Sequence, residues 1–307
     1  MAPSTSKVGR LPLIYRMHGA VYRALTAFGH VTIRGIHVFT VVANLLNRFA
    51  FKTYLSDPRA LETATKEGFR MLVPLNDQSS ASVMFRGEYD TDQSKAIANL
   101  LSVTSAMLDI GANLGYFSLL AAQNTKPDFP IIAVEPNAEL CELIGSSIGL
   151  NGFGNVSVVR AAAGEAVGRA NLELDIRRSS NATVTFEGTE SESAVDVLTV
   201  DTLAECLPDE LEAPPLVKID VEGLEIPVLN GGRGVLSTGA IALCEVSRRS
   251  AERIGPLLAE LGYVALDYSG RSVDLDLLGK RRQTDVVMCP ANFADRVRVA
   301  LEQAPQQ

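Results

Sequence analysis

The sequence predicts an α/β fold of Rossmann-like type, with a seven-stranded, mostly parallel sheet, on three observations. Apolar runs of strand length alternate with helix-length segments from residue 106 to residue 289. The first run leads into a glycine-rich turn and then a helix, AMLDIGANLGYFS at residues 106–118. Acids close the first, second and fourth runs at Asp109, Glu135 and Asp220, on the edge where open α/β sheets place their ligands.

Composition supports a folded chain and narrows its partners. At 307 residues, 47% hydrophobic and 21% charged, it is an ordinary globular protein, long enough for one large α/β domain with additions. The net charge of −8 is unevenly spread. Residues 1–60 hold Lys7, Arg10, Arg16, Arg23, Arg34, Arg48, Lys52 and Arg59 against Asp57 alone, a balance of +7 that leaves −15 for the rest. A body this acidic is a poor nucleic-acid binder, so no nucleic-acid partner is expected. Cys141, Cys206, Cys244 and Cys289 form no C-x-x-C pair, so reduced thiols and a cytoplasmic location are expected, with no zinc site.

The chain divides into a basic helical extension (1–60), a hairpin with a lead-in helix (61–105), the α/β domain (106–292) and a tail (293–307). In the extension, Leu11, Ile14, Tyr15, His18, Val21, Tyr22, Leu25 and Phe28 recur at helical spacing over 11–28. Val38, Val41, Val42, Leu45, Leu46 and Phe49 do the same over 36–54. Neither segment has the ~18 uninterrupted apolar residues of a spanning helix. Basic residues beside apolar stripes suit a cap on the catalytic domain, a homodimer surface, or peripheral membrane contact through residues 10–54.

Residues 69–73 and 82–86 read as a hairpin, and Asp92–Leu101 as a helix. The first strand, 106–110, is followed by helix 116–123, strand 131–135, helix 138–149 and strand 156–161. Strand-like pieces at 170–176, 183–186 and 195–200 flank a loop rich in Ser and Asn. Strands 216–220 and 240–246, helix 250–261, strand 263–268 and a closing antiparallel strand 284–289 complete the sheet. The tail after Asn292 is a short amphipathic helix.

The turn chemistry indicates the ligand. It runs D-x-G-x-x-x-G from Asp109 to Gly115, not the G-x-G-x-x-G of a dinucleotide site. An acid at the mouth repels phosphate and suits the ammonium and sulfonium of S-adenosylmethionine. Gly111 and Gly115 allow sharp turning and close approach, and Asn113 and Tyr116 lie on the same turn and helix start. Glu135, followed by Pro136, is placed to accept hydrogen bonds from a ribose diol. Farther on, KIDVEGLE at 218–225 puts Lys218 and Asp220 on one side of a strand and Glu222 in the turn beyond it. A plainer reading pairs Lys218 with Glu222 and leaves Asp220 as a helix cap.

LDIGANLGYFSLLAA, AVEPN, LNGFGNVSVVRAAAGEAVG, VLTVDTL and VKIDVEGLEIPVLNGG together resemble the FkbM-type family of S-adenosylmethionine-dependent methyltransferases over about residues 85–250. Ser147 departs from the family's usual asparagine. The resemblance implies a class I methyltransferase fold and O-methylation of a small-molecule, glycan or glycolipid acceptor, including polyketide-like metabolites. DVEG stands where amino-group methyltransferases carry N/D-P-P-Y/F, and no dehydrogenase Tyr/Lys pair is evident. A methyltransferase-like module without activity, held at a membrane surface, is the alternative. All three histidines, His18, His30 and His37, lie in the extension. The expected catalytic set is therefore Asp220 or Glu222 as base, Lys218 orienting them and Glu245 holding the acceptor, with no resident metal. Magnesium held by the carboxylates is the rival account.

Overall fold

The computed structural model describes residues 32–33, 36–37, 60–75, 77, 80–173, 183–185, 194–221, 223–274 and 283–303. They belong to two compact units, residues 1–89 with 174–181 and residues 90–173 with 182–307.

In the first unit, β1 (Ala60–Ala64) and β2 (Arg70–Pro74) form an antiparallel hairpin pairing Leu61 with Val73 and Thr63 with Met71. Leu61 and Thr63 are buried and Glu62 between them is exposed, the alternation of a strand with one covered face. Gly68, at φ 95°, supplies the left-handed residue of the connection. The expected strand 82–86 is instead part of helix α1 (Ser80–Arg86). Val83 and Met84 are adjacent and both buried, which suits a helix, and the Gly87 N–H donates to the Val83 carbonyl four residues back. The strand Thr32–Ile33 pairs with Ile36–His37, so no helix starts at residue 36. The remainder of the helices expected over 11–28 and 36–54 lies outside the described residues.

The second unit holds the seven-stranded sheet. Its strands are β3 (Met107–Ile110), β4 (Ile131–Val134), β5 (Val156–Val159), β10 (Leu216–Ile219), β11 (Ile241–Ser247), β12 (Tyr263–Leu266) and β13 (Gln283–Pro290). They lie in the order β12-β13-β11-β10-β3-β4-β5, with β13 antiparallel to both neighbours and the others parallel. This is a Rossmann-like α/β fold. The chain runs from β3 outward through β4 and β5, then returns to β10 on the other flank of β3. The crevice at that switch point is where such sheets bind ligands. Between the two halves, β6 (Ala162–Ala163), β7 (Gly168–Glu173), β8 (Thr183–Thr185) and β9 (Ala194–Leu198) form a smaller sheet, in the order β8-β7-β9-β6.

Helices α2 (Thr91–Leu100), α3 (Tyr116–Asn124), α4 (Ala138–Asn151) and α9 (Ala294–Glu302) match expectation within a few residues. So does α8 (Arg248–Leu261), and α6 (Glu225–Asn230) follows the turn after KIDVEG. Helix α5 (Val200–Ala204) begins where the last strand-like piece was expected to end. Thr199 caps it by accepting from the Thr202 N–H. Helix α7 (Arg233–Ser237) was not anticipated.

One face of the sheet is apolar throughout. Leu108, Ile110, Val217, Ile219, Ala242, Cys244, Val286 and Met288 join Ile226, Leu229, Ile254 and Leu258 in a single core. Period two sends the alternate residues to the opposite face. Those include Asp109, Lys218, Asp220, Glu245 and Asp285.

Candidate active site

Gly111 follows β3 at φ 74°, and its N–H and that of Ala112 both donate to the Val134 carbonyl. A Cβ at Gly111 would lie 1.9 Å from the Asp220 carbonyl oxygen, and one at Gly115 (φ 76°) 2.9 Å from Ile144 Cγ1. Both glycines therefore allow protein to pack on protein, the turn against the end of β10 and the start of α3 against α4. Asn113 takes the left-handed conformation at φ 52°. Tyr116 is buried, edge-on to Phe117.

Asp109 does not stand open at the mouth of the turn. It is fully buried on the charged face of the sheet, where one carboxylate oxygen accepts from Ser118 Oγ at 2.6 Å. The other lies 3.1 Å from Lys218 Nζ. Lys218 is likewise buried, donates to the Gly111 carbonyl at 2.7 Å, and stands 3.7 Å from Asp220 and 5.5 Å from the centre of the Phe117 ring. One ammonium thus joins the first strand, the glycine turn and the end of β10. Glu222, the partner that the plainer reading gave it, lies outside the described residues. Asp220 does not cap α6, whose first residue Glu225 instead accepts from the Gly223 N–H.

Glu135 is 5% exposed and accepts from the N–H groups of Asn113 and Asn137, each at 2.9 Å. Burial pushes its carboxyl up from 4.5 to about 7; the two N–H bonds and Lys218 act against the rise, and Asp109 adds to it. Pro136 and the cap residue Asn137 carry the chain from it into α4. A carboxylate this poorly solvated, with lone pairs left beyond its two N–H bonds, has the chemistry to receive the donors of a ribose diol.

Glu245 is half-buried on β11, directly across from Asp285 on β13. Because Ile219 is level with Cys244, Asp220 is level with Glu245. Three carboxylates on neighbouring strands therefore share one edge. Asp285 escaped the sequence reading, which sought acids at strand ends. An antiparallel strand reaches that edge at its start, and the acid early in TDVVMC was the available signal. Among the described residues no group of His, Cys, Asp and Glu is arranged to hold a metal ion, and no helix is long and apolar enough to cross a membrane.

The family model described as "Methyltransferase FkbM domain" matches residues 109–265, just over half of the chain. No curated protein matches the chain significantly. Among solved structures, an O-methyltransferase from Bacillus cereus in complex with SAH is 12% identical, with 90% of this chain and 98% of that one covered at a TM-score of 0.41. The O-methyltransferase TomG from Streptomyces achromogenes, in complex with SAM, is 15% identical, covering 66% and 81% at 0.39. A precorrin-6y C5,15-methyltransferase from Geobacter metallireducens is 15% identical, covering 66% and 89% at 0.38.

Proposed function

The chain belongs to the FkbM family of methyltransferases, which depend on S-adenosylmethionine, and from that premise we propose that it methylates a hydroxyl oxygen of a small-molecule, glycan or glycolipid acceptor. When bound, S-adenosylmethionine supplies a sulfonium methyl, so that the O–C bond forms as the S–C bond breaks and a neutral thioether leaves. The turn at 109–115, Tyr116 and Glu135 with Pro136 would hold it, Glu135 through the ribose diol. Asp109 contributes from beneath, by fixing Lys218.

The observation that carries this reading is an accessible carboxylate beside a buried lysine at the switch point. The Asp220 side chain is 36% exposed and the Lys218 side chain 2%. Lys218 is held by Asp109 and the Gly111 carbonyl, so it orients Asp220 without being displaced itself. Asp220, or Glu222 two residues on in the chain, takes the hydroxyl proton as the oxygen bonds to carbon, and Glu245 holds the acceptor. Alignment of the reacting atoms supplies most of the acceleration.

Label transfer from S-adenosylmethionine to fractionated lipid and glycan extracts tests the reaction. Turnover is expected to survive EDTA and to fall about 10²–10⁴-fold in Asp220→Asn or Glu222→Gln, the usual contribution of a general base. Loss of turnover in EDTA would transfer the proton-removing role to a bound magnesium ion. Near-normal turnover in both variants would leave these acids as builders of the turn.

A further inference from the structure

A cavity of about 490 Å³ lies within the second unit, walled by Asp92 and Lys95 of α2, by Tyr268 after β12, and by Thr284 and Asp285 at the start of β13. That volume falls in the range of small-molecule sites. Strand register fixes where it sits. Asp285 is opposite Glu245, which is level with Asp220. Two strand spacings therefore separate Asp285 from Asp220, about 10 Å. Asp285, on the cavity wall, therefore stands on the same edge as the proposed base, at a reach of roughly one substituted ring.

One of its groups lacks a good partner and another is poorly solvated. The Tyr268 hydroxyl is buried beside Asp285 and Gln93, outside good hydrogen-bond geometry with either. The Asp285 carboxyl is raised from 3.8 to about 6, mainly by burial; Asp90 and Asp220 add to the rise, while Tyr268 and Lys218 oppose it. A ligand that donates to the carboxylate would offset its desolvation, with the Tyr268 phenol beside Asp285 holding it in place. The sign of the charge nearby narrows the ligand. Asp90, Asp92, Asp220 and Glu245 lie towards this end; of the cations nearby, Lys218 is already engaged by Asp109, Arg271 is paired with Asp267, and Lys95 is exposed. An anionic group would be repelled there, whereas a hydroxyl or an ammonium would be welcome.

Resting on the methyl-transfer reading, we propose that this cavity seats the acceptor and that Asp285, with Tyr268, selects it by holding a second hydroxyl or an ammonium group. The acceptor is at least one ring wide, carries two donor groups at opposite ends, and has no phosphate or carboxylate at the end away from the reacting oxygen.

The test uses the full-length protein, saturating labelled S-adenosylmethionine, and the extract fraction that accepts label. Asp285→Asn should raise the half-saturating amount of that fraction about tenfold, the equivalent of about 1.4 kcal/mol. Its kcat and its KM for S-adenosylmethionine should stay within about twofold of wild type. Tyr268→Phe, which removes one oxygen and keeps the fold, should act in the same direction, and thermal melts verify that both variants are folded. In the wild type, kcat/KM for the fraction should fall as pH drops through about 6, where Asp285 gains a proton in the presence of Tyr268, Asp90, Asp220, Lys218 and Glu245 and of the cavity's Asp92, Lys95 and paired Asp267 and Arg271. That limb should flatten in Asp285→Asn. Unchanged half-saturation in both variants, or loss of kcat alone, overturns the proposal while leaving methyl transfer intact. If no fraction accepts label from the wild type, the methyl-transfer reading falls and takes this inference with it.

Discussion

Glu135 should make the stability of the ligand-free protein and its affinity for S-adenosylmethionine respond to pH in opposite directions. Its carboxyl is raised from 4.5 to about 7, chiefly by burial. Between those values the folded chain keeps a proton that the unfolded chain gives up, so stability falls as pH rises from 4.5 towards 7 and then levels. Each pH unit in that window is worth up to about 1.4 kcal/mol, so from pH 5 to pH 8 this one group costs about 2–3 kcal/mol. Donors from a ribose favour the ionised carboxylate, so affinity should climb as pH rises through 7. Urea unfolding of wild type and Glu135→Gln at intervals from pH 5 to pH 8 isolates the effect. The amide can accept only one of the two N–H bonds, so the variant loses about 1 kcal/mol at every pH, and the difference in slope is the diagnostic quantity. Asp285, raised in the same sense, acts equally on both proteins and cancels. Parallel stability curves would refute the titration argument. Calorimetry showing equal affinity at pH 6 and pH 8 in the wild type would refute the ribose contact.

Gly111→Ala should cost several kcal/mol and recover poorly as soluble protein, because a Cβ there meets the Asp220 carbonyl at 1.9 Å with φ held at 74°; an unchanged melting midpoint would contradict this. Lys218→Met leaves the Asp109 carboxylate buried without its cation and should cost about 3–5 kcal/mol in denaturant unfolding, with a good part recovered in Lys218→Met/Asp109→Asn. The +7 balance of residues 1–60 predicts salt-sensitive flotation with anionic liposomes. Equal retention of the full-length protein and a version lacking residues 1–54 in the soluble fraction would favour the cap or dimer account.

The parts of the fold that were legible in the sequence are those fixed by local pattern. Runs such as MLDI and IIAV, buried on both faces, are continuous in apolar character and bounded by turn residues, so β3, β4 and β10 were placed within a residue. The misread helix at 80–86 is a short apolar stretch whose period is ambiguous at seven residues. The true partner of Arg70–Pro74 is β1, whose polar Glu62 and Thr63 interrupt the apolar pattern and which the sequence reading passed over. At the site, the residue types were readable and their orientation was not. Asp109 was read as open because it ends a strand. The turn of its side chain under α3 depends on Ser118, nine positions on, and on Lys218, more than a hundred residues away. Asp285 needed the direction of the last strand, which is a property of topology and not of the local sequence.

The Asp109–Lys218 pair raises the question of what a buried ion pair gives a sheet that is otherwise held by apolar contacts. Desolvating both charges costs several kcal/mol each, so the pair is weak evidence for stability. Its geometric consequence is stronger. Lys218 is in direct register with Asp109, and a one-residue slip of β10 against β3 would face it with Leu108 or Ile110 and rotate it into the apolar layer beneath. A run as uniformly hydrophobic as LVKI on MLDI would otherwise hold register poorly, because its alternate residues are almost equally apolar. The cost of a misplaced buried charge removes that ambiguity. The same ammonium bonds to the Gly111 carbonyl and approaches Asp220, so setting the register also sets the turn proposed to receive the cofactor and the carboxylate proposed as base. A lysine in this position therefore fixes the sheet and the site together, as an apolar residue of equal volume could not.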